Sequence, residues 1–248
     1  MRRVGLACVA LALLSLDALP ARGQATGAWG RRWTGSEGRL VVDIPYATLD
    51  VAGWDADSVR VAIRNASGRI VPLPSPRVVG SEVRIVAPGN QALLEVEIRI
   101  PHRFDAVLRS SNGSPIRVRE VHGAVTAENS NAGIYLSGLR GPVMAATSNG
   151  PLTASFGELP GRGPLSFITS NDSVSVSFPG LPGLDLFLQT DNGSIVSDFL
   201  LGPSSGSGDA RESAGAGSVL RARVGAGGPL LRIRTDNGDV ALRRGGSG

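Results

Sequence analysis

One short text recurs along this chain, and it constrains the fold more than any other feature. Six segments carry it: Ala106 to Asn112, Val125 to Asn131, Val143 to Asn149, Leu165 to Asn171, Leu186 to Asn192 and Leu231 to Asn237. Each reads apolar, any, apolar, any, then Ser, Thr or Asn, any, Asn. An apolar residue returns at the third position after the Asn in five of the six copies, as Ile134, Leu152, Val174, Ile195 and Val240, and one residue later in the first copy, as Ile116. The Asn spacings are 19, 18, 22, 21 and 45 residues, so the last gap spans two periods with one degraded copy between. A fixed period near 20 residues marks stacked repeats, each of which needs neighbours to bury its apolar face.

Within a copy, apolar and polar residues alternate, which is the period of a strand with one buried face; the i, i+3, i+4 spacing of an amphipathic helix is absent. Asn-Gly at Asn112, Asn149, Asn192 and Asn237 supplies the backbone freedom a tight turn needs. The same dipeptide between alternating strands also marks antiparallel hairpins, so a coil and a meander or sandwich both fit the turns. A second bend separates them. Val121-His122-Gly123-Ala124-Val125 aligns with Leu139-Arg140-Gly141-Pro142-Val143, half a period from the Asn turn. Two unlike bends in strict alternation over like cores suit a coil of two short strands per turn, so the expected fold is all-β, a single-domain β-solenoid with rungs of about 20 residues. Like positions then stack in columns, Leu165, Leu186 and Leu231 in one and Phe167, Leu188 and Ile233 in another.

The rest of the chain is divided on composition. Met1-Arg2-Arg3, the apolar run from Val4 to Leu16 and the small residues ending at Ala25 have the layout of a secretory signal, so 1–25 is assigned as a signal peptide cut after Ala25. The competing reading is an uncleaved anchor, for which the run is short. Residues 26–38 are taken as a flexible N-terminal segment and 39–244 as the strand-repeat solenoid. Within it, 39–108 is strand-rich without the Asn copies and is either divergent early rungs or a cap over an otherwise bare edge. The small polar stretch 200–218 reads as a low-complexity lateral loop, and 245–248 as a tail. Cys8 is the single cysteine and lies in the signal, so the exported product has no disulfide.

Charge narrows the function classes. All 25 basic residues are Arg, yet the net charge is +4, and removal of 1–25 leaves 22 basic against 20 acidic residues, a nucleic-acid footprint in neither case. The two histidines, His102 and His122, stand apart in sequence, and His122 aligns with Arg140 at an outward corner, so both read as exposed turn residues; no catalytic residue is assigned. The Asn column, Asn112, Asn131, Asn149, Asn171, Asn192 and Asn237, is assigned as a structural turn ladder, either a stacked amide ladder inside the coil or a row of backbone-bonded turn residues. Asp191, Asp236 and Asp239 suit a hard cation, but the Gly-Gly-x-Gly-x-Asp calcium repeat is missing, so no metal site and no cofactor are assigned. Outward Arg117, Arg119, Arg232 and Arg234 form a solvated face, and Phe187 and Trp54 are candidates for stacking on sugar rings.

The repeated Thr-x-Asn-Gly text, the opening Leu49 to Trp54 with Val59 after it, and the closing Pro229 to Leu242 resemble the bacterial putative-adhesin family of β-strand repeat domains of unknown function, over residues 39 to 244. The resemblance implies a right-handed β-helix-like stack exported to the envelope, and it carries no catalytic residue. Asn171-Asp172 in place of Asn-Gly and the insertion near 200 depart from the pattern. The expected function is therefore an exported, extracytoplasmic, non-enzymatic surface that binds or scaffolds an envelope protein or glycan, with no nucleic acid and no membrane span after signal cleavage. The alternative is a polysaccharide lyase-like enzyme on the same fold.

Overall fold

The computed structural model describes residues 28–35, 37–65, 67–69, 76–87, 93–112, 114–203 and 217–245, and the signal assigned to 1–25 lies outside them. The first seven strands are β1 (Ala28–Arg32), β2 (Arg39–Asp43), β3 (Ala47–Trp54), β4 (Ser58–Asn65), β5 (Arg77–Val79), β6 (Glu82–Val86) and β7 (Leu94–Pro101). The repeat copies supply β8 (Asp105–Arg109), β9 (Ile116–Arg119), β10 (Val125–Glu128), β11 (Ile134–Leu139), β12 (Val143–Ala146), β13 (Leu152–Phe156), β14 (Leu165–Ile168) and β15 (Val174–Pro179). Then follow β16 (Leu184–Thr190), β17 (Ile195–Ser197), β18 (Gly202–Pro203), β19 (Ser218–Val224), β20 (Leu230–Thr235) and β21 (Val240–Gly245).

These strands form two mixed sheets, and no helix occurs among the described residues. From β8 to β15 the chain alternates between the sheets, β8, β10, β12 and β14 in an eleven-stranded sheet and β9, β11, β13 and β15 in a ten-stranded one, and from β10 onward each strand pairs in parallel with the one two places earlier. The apolar positions of the repeat face inward on both. Ala106, Val125, Val143, Leu165, Leu231 and Leu186 make one column, and Leu108, Ala127, Ala145, Phe167, Ile233 and Leu188 the next, all buried. Small residues in one column leave room for large ones opposite, and Phe156 uses it, stacking on Phe178 at 4.9 Å and edge-on to Phe167 at 6.5 Å.

The N-terminal strands extend both sheets: β2 pairs in parallel with β6 and β8, and β3 with β7 and β9. Antiparallel strands then finish that end, β1 and β7 on either side of β4 and β5 beside β6. Ala28–Arg32 is thus a strand within the segment 26–38 that the sequence suggests is flexible. Pairing a terminal strand is the physical reason, because it satisfies backbone groups on β4 that the edge would otherwise expose.

The strand order at the other end differs from the order in sequence. The last copy, β20 with β21, lies between its predecessors: β20 between β14 and β16, β21 between β15 and β17. Among the described residues, the gap of 45 residues therefore holds no degraded copy. Besides β17 and β20, which belong to the flanking copies, its described strands are β18 and β19, and β19 runs antiparallel along the outer edge of β16. Gly202–Pro203 and Ser218 are strand residues at the ends of the stretch read as a loop, and 204–216 lie outside the described residues. A Gly-Pro strand of two residues is a blunt end for a sheet, since Pro carries no N–H to offer a further strand.

Candidate functional site

At the Asn turn the side-chain amides stack outside the core. Nδ2 of Asn149 donates to Oδ1 of Asn131 at 3.1 Å, Asn171 to Asn149 at 2.9 Å, Asn237 to Asn171 at 2.9 Å and Asn192 to Asn237 at 3.0 Å. The second Nδ2 hydrogen of each reaches the backbone carbonyl of the residue before that Asn partner, as from Asn149 to Ser130 at 3.2 Å. Asn112 stands apart, donating to Ser111 Oγ, while Asn131 donates to the Ser111 carbonyl. The amides are exposed.

The position two residues before each Asn forms a second, buried column that the sequence pattern spells out without revealing its role. Hydroxyls of Thr147, Thr169, Thr235 and Thr190 donate to the carbonyls of Ala132, Gly150, Asp172 and Gly238, and Ser110 and Asn129 do the same toward Ala47 and Ser114. Each closes a turn carbonyl that would be unsatisfied beside the core.

At the opposite bend the two histidines meet. Their rings stack at 4.5 Å, and the His122 N–H donates to the His102 carbonyl. His122 is therefore half-buried, and not the exposed corner residue its alignment with Arg140 suggests. Glu120, at φ 54, is in the left-handed region, and this turns its carbonyl to accept from His102 Nδ1 at 2.6 Å. His102 Nε2 faces the Asp55 carboxylate at 3.3 Å, whereas His122 Nε2 is buried without a hydrogen-bond partner, 3.9 Å from Glu120. Burial, His102 and Arg140 hold the His122 pKa below its usual value.

The acidic residues considered for a cation have protein donors. Asp239 accepts from Ser194 N and Oγ, both at 2.8 Å, and the backbone bond leads in holding its pKa down. Asp236 accepts from Arg234 and Asp191 from Gln189. Among the described residues no three His, Cys, Asp or Glu side chains are grouped to hold a metal ion, and no helix is long and apolar enough to cross a membrane.

The outward face of the eleven-stranded sheet carries the sequence's aromatic candidate. Arg221, Phe187, Arg232, Ser166 and Met144 form one cross-strand row from β19 to β12. The guanidinium carbons of Arg221 and Arg232, on the strands flanking β16, lie 5.0 and 5.4 Å from the Phe187 ring centre. A shallow open depression is lined by Phe187, both of these arginines, Asp185 and Leu230. Trp54, the other aromatic candidate, is half-buried, donates to the Ser58 carbonyl at 2.7 Å and lies under Arg60.

No protein-family model matches the chain, and no curated protein does. Among solved structures it is similar to one described as a putative cell adhesion protein from Clostridium sporogenes, at 8% identity and a TM-score of 0.49, over 89% of this chain and 100% of that one.

Proposed function

We propose that the protein is an exported, non-enzymatic, adhesin-like β-solenoid whose outward sheet face is a binding or scaffolding surface in the bacterial envelope. Support for the solenoid comes from the strict alternation of β8 to β15 between two parallel stacks. Export rests on the charged start, apolar run and small-residue end of 1–25.

The observation that carries the binding reading is the Arg221–Phe187–Arg232 row. Two guanidiniums are held against one aromatic ring on an open sheet face, and among the described residues neither has a carboxylate partner. A guanidinium kept only for solubility is free to pair with the nearest acid, as Arg223 does with Asp185 at 3.0 Å. Arg221 and Arg232 are instead exposed and without such a partner, and an Arg whose N–H donors are uncommitted takes a planar anion in a bidentate pair.

The test is a screen of the chain from Thr26 onward for binding to envelope proteins and glycans, with polysaccharide and ester cleavage assayed in parallel. Saturable binding without turnover is expected. Cleavage that is abolished in a His102→Ala/His122→Ala double variant would replace this reading with the lyase-like alternative.

A further inference from the structure

We infer that the C-terminal half of this outward face is a docking surface for an acidic polypeptide segment, with Arg221 and Arg232 as its anion anchors. The inference rests on the binding-module reading above and names the partner.

The first argument is what stands beside the arginines. Outward positions of β12, β14, β19 and β20 expose Met144 (50%), Ile168 (38%), Val219 (39%) and Leu230 (55%). All four are on the same face as Phe187, because in each strand they alternate with buried residues of the core columns. Ile168 is beside Arg234, and Met144 beside Ser166 of the arginine row. Aromatic, Met and Arg side chains together, with few acids, are the composition of a protein-recognition surface.

The second argument is charge. Arg221, Arg223, Arg232 and Arg234 all project from this face, and Asp185 is the one acid among the outward strand positions of β16, β19 and β20. A complementary partner is acidic. A second copy of the same face would bring arginine to arginine, which disfavours self-association there.

The third argument is geometric. Phe187 has guanidiniums over it from both neighbouring strands, so it offers no open ring for a sugar or a base to stack on. Recognition through this row is by carboxylate on guanidinium, flanked by apolar contact at Met144, Ile168 and Leu230. A polypeptide carrying Asp or Glu next to Leu, Ile or Val supplies both; an acidic polysaccharide supplies only the first.

The experiment is selection of a random 12-residue peptide library on the immobilised chain from Thr26 onward, with polygalacturonate as the glycan comparison. Arg221→Gln/Arg232→Gln and Met144→Ser/Ile168→Ser variants are checked for an unchanged melting temperature. Enrichment of peptides that combine Asp or Glu with an aliphatic residue is expected, with at least tenfold weaker binding to either variant and weakening on raising salt from 50 to 500 mM. Peptides without acids, peptides bound by the variants as tightly as by wild type, or polygalacturonate as the tighter ligand would each overturn the inference. If the chain still binds envelope material in the broader screen and the arginine variant binds it equally, only this inference falls. If wild type retains nothing in either assay, the binding-module reading falls with it.

Discussion

Asn237 donates its side-chain amide to Oδ1 of Asn171 at 2.9 Å across 66 residues of chain, while Asn192, nearer to Asn171 in sequence, stacks on the far side of Asn237. The ladder thus marks the placement of β20 and β21 between strands that precede them in the chain. Asn237→Ala removes amide bonds to both sides and should cost about 1 to 2 kcal/mol by chemical denaturation. A double-mutant cycle checks the order: Asn171 and Asn237 should couple, and Asn171 and Asn192 should be additive. Coupling of the second pair would place the copies in sequence order and refute the insertion.

Gly141 and Gly123 mark the other bend because the stacked chains approach too closely there for a side chain. A Cβ at Gly141 would overlap the Gly123 carbonyl, and one at Gly123 the Phe104 carbonyl. Gly141→Ala should destabilise by about 3 kcal/mol, in the upper range for overpacking. Gly161, with open space around it, is the control, and Gly161→Ala should be neutral within about 0.5 kcal/mol. Equal melting temperatures for the two variants would contradict the stacking.

Leu188 is fully buried in the column with Ile233 and Phe167, and Gln189 faces outward beside it. Leu188→Ala should cost about 2 to 5 kcal/mol. Gln189→Ala should stay within about 0.5 kcal/mol, as for a surface site. Urea unfolding of both variants checks the strand register, and equal losses would invert it.

The repeat made the columns legible, because alternation fixes which side chain points inward whatever the strand's neighbour is. It could not give the order of the strands. Leu165, Leu186 and Leu231 are equivalent in the text, yet Leu231 pairs with both of the others and stands between them, with antiparallel β19 on the far side of β16. The same alternation in Val219 to Val224 serves a parallel or an antiparallel strand, so β19 gave no sign of its direction. The buried Thr column was written in the motif, yet its role depends on carbonyls that the turn points inward. His102 and His122 are 20 residues apart, one repeat period, and that spacing was the available signal that they share a bend.

That pairing gives the protein a pH dependence of definite sign. His122 has a folded pKa below its ordinary value near 6.5, chiefly from burial, then from His102 and Arg140. The unfolded chain therefore binds the proton more readily than the folded one. Stability from this site is complete above the unfolded pKa and is lost as pH falls through 6.5 toward the lower folded value. Protonation would put a charge on a buried Nε2 that has no hydrogen-bond partner, with Glu120 no nearer than 3.9 Å and a second imidazole stacked on it. In His122→Gln the side chain stays neutral throughout, so the fall in unfolding free energy between pH 7.5 and pH 5 should be smaller than in wild type. Urea titrations of both proteins at the two pH values measure it. A fall as large in the variant would assign the acid sensitivity to groups other than this histidine, though not to Asp198 or Asp239. Their pKa values are also held down in the fold, through bonds from Arg244 N and Ser194 N, but their contribution disappears only in a more acidic range.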